Sequence, residues 1–184
     1  AATTIAEAIV TKVGETHALF ALAVATLVLT AVGLFVDVAV ITVSPIALAV
    51  ARRADLSKAA ILLAMVGGGK AGNVMSPNPN AIAASEAFNV PLTSVMAAGI
   101  VPGLCGLVLT YVLARWLVNR GSQVAEADLV ERPREELPSF LAAILAPLVA
   151  IAILALRPLA GINVDPLVAL PLGGLAGAIA MGQF

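Results

Sequence analysis

The sequence predicts an all-α, polytopic transmembrane helical bundle with a re-entrant hairpin and broken helices. The first observation behind this prediction is composition: 61% of the 184 residues are hydrophobic, 11% are charged, and the mean hydropathy is +1.06. Because a soluble domain carries about 25% charged residues, this chain is expected to lie in a membrane. The second observation is that long apolar runs alternate with short polar stretches, and the third is that several runs are interrupted by proline and glycine.

The composition also excludes several classes of function. A single cysteine, Cys105, rules out an internal disulfide, and a single histidine, His17, leaves no histidine or cysteine cluster for a metal ion. The net charge of −1 is not accompanied by the basic face that nucleic-acid binding requires. No serine, histidine and acid are grouped as hydrolytic catalysis needs, so we predict neither an enzyme nor a cofactor.

Residues 18–51 form the first apolar run, and its charged residue is Asp37. As one helix the run would be about 50 Å long, whereas the hydrocarbon core of a bilayer is about 30 Å thick. We therefore expect a spanning helix over residues 18–35, a break within residues 33–37 or at Pro45, and then a shorter helical piece.

Segment 56–90 places two apolar arms, residues 59–66 and 81–88, around the polar stretch GGGKAGNVMSPNPN at residues 67–80. Each arm would make about 12 Å of helix, which is too short to cross a bilayer. Lipid cannot hydrogen-bond the backbone of the polar stretch, so that stretch must lie inside protein or along an aqueous cavity. This pattern predicts a re-entrant hairpin with a polar tip, or one helix that is unwound at its centre.

The rest of the chain predicts three spans and one loop. These are a span at residues 91–118, a hydrophilic loop at 119–138, a span at 139–156 and a truncated span at 166–184. In the first of these spans, GIVPGLCG predicts either a helix break at Gly99, Pro102 and Gly103 or a helix that packs closely through its glycines. Gly173 and Gly177 have a spacing that also suits helix packing.

The polar stretch at residues 67–80 is the main candidate for a binding site. Its glycines match the spacing of a dinucleotide-binding loop, but a membrane segment precedes them instead of the required strand. A helix broken inside a membrane bundle exposes amides that attract anions and carbonyls that attract cations. We expect a small organic anion here, with its carboxylate on Lys70 or on the amides near Ala81 and Ile82. The expected substrate-binding residues are Lys70, Gly72, Asn73, Ser76, Asn78 and Asn80. The alternative is an ordinary extramembrane turn.

Asp37 is the second candidate, because an acid within an apolar run usually faces a cavity, a partner or a proton path. We expect Asp37 to be the site that couples transport to protons. The alternative is that Asp37 lies hydrated at the membrane interface.

Residues 33–116 resemble the gluconate permease family, whose members are symporters of protons with gluconate and related sugar acids. GLFVDVAVITVSPIALAVA is similar to a family stretch in which an aromatic residue and an acid precede an apolar segment, and Asp37 stands at the family's acid. SPNPNAIA is similar to the family's Pro-Pro-His-Pro-Gly-Pro motif and the Ala-Ile-Ala that follows. The departures from this motif are Asn78 in place of histidine, Ser76 and Ala81 in place of prolines, and Asn80 in place of glycine.

The resemblance implies a proton-coupled importer of gluconate or a related sugar acid, a multi-pass protein of the bacterial cytoplasmic membrane. It also implies a longer protein with an inverted repeat, and we expect this chain, which starts at Ala1 and ends in an apolar run, to be a fragment. The implied partners are membrane lipid, a small organic anion and a second copy in a homodimer. The alternatives are a sodium-coupled carboxylate carrier and a membrane interaction protein that transports nothing.

Overall fold

The computed structural model describes residues 2–13, 17–129, 139–162 and 164–182. The regular structure in these residues is helical, with one isolated bridge between Ser57 and Gln123, so the all-α prediction is confirmed. The α-helices are α1 (Ala2–Val13), α2 (Ala18–Ala31), α3 (Val36–Arg53), α4 (Lys58–Val74), α5 (Pro79–Ala87), α6 (Leu92–Leu117), α7 (Phe140–Ala160) and α8 (Pro166–Ala180), and a 3₁₀ turn lies at Glu126–Asp128.

The first apolar run forms two helices that are separated by residues 32–35. Gly33 has a φ of +105° in this connection, and glycine adopts that conformation without the strain that a Cβ atom would cause. The α3 helix has 18 residues and α2 has 14, so the expectation of a shorter second piece is wrong. The α3 helix continues through Pro45, which is therefore not a break.

The α4 helix lies between α2 and α6 and also packs on α3. Four small residues at a spacing of four are buried along it: Ala60, Ala64, Gly68 and Gly72. A Cβ atom at Gly68 would overlap the carbonyl oxygen of Ala23 in α2, and one at Gly72 would overlap that of Leu27. Small residues at this spacing let helix backbones approach closely. Because residue numbers rise together on the two helices, α2 and α4 run parallel.

Other small residues of α4 face α6. A Cβ atom at Gly67 would overlap the side chain of Thr110, and one at Gly103 would lie 2.9 Å from the carbonyl oxygen of Ala71. Gly99 fits against the backbone of Val74 in the same way. Contacts advance along α4 as they go back along α6, so these two helices are antiparallel.

The α6 helix is continuous over 26 residues, so the helix break predicted at Gly99, Pro102 and Gly103 is wrong. Gly99 and Gly103 are buried against α4, which is the alternative of a helix that packs through its glycines. Pro102 lies on the exposed side of the helix. The stretch GIVPGLCG therefore serves helix packing.

The α7 and α8 helices pair with each other, and α1 connects them to the bundle by packing on both α2 and α7. A Cβ atom at Gly173 would lie 2.7 Å from the carbonyl oxygen of Ala146, and one at Gly177 would lie 2.5 Å from the Cβ of Ala146. The packing role predicted for these two glycines is confirmed.

Two segments of the described residues are long and apolar enough to cross a membrane, Lys58–Ala87 and Leu92–Leu117. The α6 helix exposes a row of large apolar side chains: Ile100, Val101, Leu104, Val108, Leu109, Val112, Leu113 and Trp116. The order in which the helices cross the membrane stays a prediction. Residues 130–138 of the predicted loop and residues 183 and 184 of the last span lie outside the described residues.

Candidate functional site

The polar stretch at residues 67–80 is helical for much of its length. The α4 helix continues to Val74 and α5 begins at Pro79, so the helix is interrupted only at residues 75–78. The α5 helix packs against α6 and not back along α4. The expectation of a non-helical tip over the whole stretch is wrong, and the alternative of a helix interrupted near its centre describes this region.

Asn78 organises the interruption. It is 3% exposed, and its Oδ1 accepts hydrogen bonds from the backbone amides of Asn80 at 2.8 Å and Ala81 at 3.2 Å. Its Nδ2 donates to the carbonyl oxygen of Asn73 and to Oγ of Ser76. Asn78 is therefore the N-cap of α5, a position where asparagine is favoured because its oxygen satisfies amides of the first turn.

These bonds change the roles expected from the sequence. The backbone amides at the predicted carboxylate site already have acceptors within the chain. The amides of Asn80 and Ala81 donate to Oδ1 of Asn78, and the amide of Ile82 donates to its carbonyl oxygen. Ser76 is fully buried, and its hydroxyl donates to the carbonyl oxygen of Asn73 at 2.9 Å. Asn78 and Ser76 therefore use their polar groups within the chain and shape the break.

Gly72 is a packing residue in this structure, and its expected role in substrate binding stays a prediction. It is buried, and a Cβ atom there would overlap the carbonyl oxygen of Leu27 and the hydroxyl of Thr30. The Thr30 hydroxyl donates to the carbonyl oxygen of Thr26 at 2.9 Å. The glycine thus brings α4 close to α2, and no ligand could reach it without separating the helices.

Three of the expected site residues keep polar groups available. Lys70 is exposed and lines a groove of about 300 Å³ between α4 and α6, whose other walls include Val66 and Pro102. Asn80 is exposed at the start of α5. The Oδ1 of Asn73 is buried and accepts no hydrogen bond within the described part of the chain.

Asp37 lies in the first turn of α3 and is exposed. A carboxylate is favoured there because a helix N-terminus carries a partial positive charge. Val36 touches the position that a Cβ of Gly69 would occupy, at 2.9 Å, so Asp37 lies beside the turn of α4 that carries Lys70. The structure thus brings the two candidate charges to the same part of the bundle, although no ion pair joins them among the described residues.

A second polar cleft lies at the opposite end of the bundle, and it was not predicted from the sequence. It has a volume of about 530 Å³ and its polar lining residues are His17, Arg53, Tyr111, Arg115 and Asn119. These residues come from the start of α2 and the ends of α3 and α6, far apart in sequence. The available signal was that basic residues follow two separate apolar runs.

Comparison with known proteins identifies the family. The sequence pattern of GntP family permeases matches residues 1–170. A relative from Haemophilus influenzae, described as an uncharacterized transporter, is 68% identical over 183 residues, which is 100% of this chain and 44% of the relative. The chain thus spans less than half the length of that relative, and no solved structure matches it. The chain belongs to the GntP family of permeases, which confirms the family that the sequence around Asp37 and Asn78 predicted.

Proposed function

We propose that this chain is part of a secondary active transporter that couples uptake of gluconate, or a related small hydroxycarboxylate, to protons across the bacterial cytoplasmic membrane. Membership of a permease family supports transport and not catalysis. The observation that carries the proposal is the buried polar interruption at residues 75–78, in the same part of the bundle as Lys70 and Asp37. Interrupted helices of this kind form substrate and ion sites in transporters.

Lys70 is the proposed partner of the substrate carboxylate. Its side chain is exposed in the groove between α4 and α6. Lys70 lies four residues before Val74, where α4 ends, which is about 6 Å along the helix axis at a rise of about 1.5 Å per residue. A hydroxycarboxylate could therefore reach from the ammonium group to the amides of Asn73 and Asn80, which offer both donors and acceptors to hydroxyl groups.

A sodium-coupled carboxylate carrier is the second candidate, and one observation favours it. The Oδ1 of Asn73 is a buried acceptor that receives no hydrogen bond from the described residues. Hard cations bind oxygen ligands, and the carbonyls that end a broken helix attract cations. A sodium ion beside Asn73 would use this oxygen.

Transport by the full-length protein in lipid vesicles separates the two candidates. Labelled gluconate is supplied outside, and an inward proton gradient or an inward sodium gradient is imposed separately. Accumulation that follows the proton gradient supports the first proposal, and accumulation that follows only the sodium gradient replaces it with the second. If neither gradient drives accumulation of gluconate, the proposed substrate is wrong.

The coupling role of Asp37 has its own test. Asp37→Asn should abolish accumulation against a gradient but leave exchange of labelled for unlabelled gluconate, because exchange needs no net proton movement. Asp55→Asn is the matched control, since Asp55 follows the other end of α3 and its φ of 51° is one that asparagine also tolerates. Accumulation by Asp37→Asn at the wild-type level would remove Asp37 from the coupling step.

Cysteine labelling distinguishes a transport site from a docking loop of an interaction protein. In a Cys105→Ser background, a thiol at Asn80 should react more slowly when gluconate is present. A thiol at Val90, which is exposed beyond the end of α5, serves as the control and should react at the same rate with and without gluconate. If gluconate slows the labelling of neither thiol, the docking loop is favoured.

A further inference from the structure

The cleft at the opposite end of the bundle from the break collects positive charge. Arg53 in the last turn of α3, Arg115 in the last turn of α6 and His17 before α2 all line it. Asn119 and the Tyr111 hydroxyl add neutral polar groups, and among the described residues that line the cleft there is no aspartate or glutamate. Its volume of about 530 Å³ is in the range of pockets that bind small molecules.

Packing fixes the wall of the cleft that carries Arg115. The ring of Tyr111 meets Phe20 of α2 edge to face, with centroids 5.9 Å apart and an angle of 79° between the planes. Arg115 Nη1 then donates to the Tyr111 hydroxyl at 3.5 Å. A long cationic side chain is thereby held against α6 at the cleft.

The start of α2 adds to the positive potential. Ala18 and Leu19, the first residues of the helix, line the cleft, and the side chain of His17 at the N-cap makes no capping hydrogen bond. The first amides of a helix have no partner within it, and the N-terminus carries about half a positive charge. The helix end and Arg115 therefore favour the same kind of ligand, an anion.

Arg115 differs from other basic residues at this end of the bundle. Several of them already interact with an acid or a ring: Arg52 with Glu126 at 3.2 Å, Lys58 with Asp128 at 2.6 Å, and Arg120 with Trp116 at 3.8 Å from the ring centroid. The hydrogen bond of Arg115 is to a neutral hydroxyl. Its charge is not balanced by an acid in the described residues.

The distribution of basic residues indicates which side of the membrane this end faces. The amide of Ser57 donates to the carbonyl oxygen of Val118 at 3.2 Å, so the two basic connections after α3 and after α6 meet at one end. The connections at the other end, residues 32–35 and 88–91, contain neither lysine nor arginine. Lysine and arginine are concentrated in cytoplasmic loops, so we expect the cleft to face the cytoplasm, where anionic lipid headgroups line the membrane.

We propose that this cleft binds an oxyanion, through Arg115 and the first turn of α2. The expected source is the phosphate of an anionic phospholipid in the cytoplasmic leaflet, and the other source with the same chemistry is a soluble phosphate or carboxylate. The site is distinct from the interruption at residues 75–78 and does not rest on the transport activity proposed above.

Binding to the purified full-length protein in detergent tests this site. Four probes are added separately: dioleoylphosphatidylglycerol, dioleoylphosphatidylcholine, inorganic phosphate and gluconate. The affinity for each is measured by native mass spectrometry and by the shift in the melting temperature of the protein. We expect phosphatidylglycerol to bind more tightly than phosphatidylcholine. Arg115→Gln should weaken its binding about tenfold or more, as expected for loss of a hydrogen bond between charged groups. Arg115→Lys, which keeps the charge, should retain part of the affinity.

Arg120→Gln is the matched control, because Arg120 lies near Arg115 in sequence but stacks on Trp116 and does not line the cleft. Phosphatidylglycerol binding that falls with Arg115→Gln and not with Arg120→Gln supports the lipid source. Binding of phosphate or gluconate with the same dependence on Arg115, without a preference for phosphatidylglycerol, supports the soluble source. If wild type and Arg115→Gln bind every probe equally, or if both arginine variants lose affinity equally, the proposed site is overturned.

Discussion

Two glycine-containing segments of this chain differ strongly in sequence and yet do the same thing. In α8, Gly173 and Gly177 lie in an apolar helix and contact α7. In α4, the stretch GGGKAG surrounds a lysine and has the appearance of a loop, but its glycines also contact neighbouring helices. The difference is the number of neighbours. The α8 glycines face one helix, whereas those of α4 face α2, α3 and α6, so adjacent positions must all be small.

The comparison also explains where Lys70 lies. Gly68, Gly69 and Gly72 are used for close packing on α2 and α3, whereas Lys70, together with Gly67 and Ala71, lines the groove between α4 and α6. The lysine is therefore carried by a rigid helix at the centre of the bundle. Two glycine variants test this comparison, a variant of the α5 cap and one of Asp128 extend it to polar contacts, and they follow in order of expected effect.

Gly68→Leu should have the largest effect. Its side chain would enter the space of the Ala23 carbonyl and the Thr26 hydroxyl, which are fixed parts of α2. Overpacking of this kind costs about 1–3 kcal/mol and more where backbone must move, so we expect little folded protein. Fluorescence-detected size-exclusion chromatography measures the yield. Gly174→Leu, where a Cβ atom meets nothing within 4 Å, should express normally, and a normal yield of Gly68→Leu would contradict the close packing of α4 on α2.

Gly177→Leu should have a smaller effect. A Cβ atom at Gly177 would lie 2.5 Å from the Cβ of Ala146. The α7–α8 pair is attached to the rest of the bundle mainly through α1. We expect a loss of stability of about 1–3 kcal/mol with folded protein still recovered, measured as a lower melting temperature in detergent. A loss as complete as that of Gly68→Leu would show that the two segments are equally central.

Asn78→Ala should lower stability by about 1–2 kcal/mol, because α5 loses its N-cap and buried polar atoms lose their partner. Asn80→Ala is the control for stability, since the Asn80 side chain is exposed and the hydrogen bond from its backbone amide to Asn78 is kept. Melting temperature and gluconate uptake are measured together. If Asn78→Ala melts as the wild type does but no longer transports gluconate, Asn78 contacts the substrate after all.

Acidification should have the smallest effect. The Lys58 ammonium group, followed by the backbone amide of Ala125, lowers the pKa of Asp128 in the folded state. The carboxylate therefore stabilises the fold above the usual aspartate pKa of about 3.9, and this contribution is lost as the pH falls below that value toward the folded pKa. Asp128→Asn should melt slightly below the wild type at neutral pH and equal to it in acid. A melting-temperature difference that does not change with pH would contradict the role of Asp128.

Much of the fold follows from local properties of the sequence. Apolar runs and turn residues predicted helices near their observed positions, and the spacing of Gly173 and Gly177 predicted their packing. The positions that failed are those where a proline or glycine could either break a helix or be packed within one. Pro45 and Pro102 are both inside continuous helices. Their backbone conformation depends on the neighbours that surround them, which no short stretch of sequence specifies.

By itself the sequence determined that this chain is helical, apolar enough for a membrane and a member of a permease family. Composition carries the first two properties, and short motifs carry the third. Only the tertiary structure decided that Asn78 caps α5, that Gly72 packs on α2 and that Lys70 lines a groove between α4 and α6. The physical reason is that a polar group or a glycine can satisfy either a ligand or a neighbouring helix. The choice depends on which backbone atoms lie within about 3 Å, and these come from distant parts of the chain.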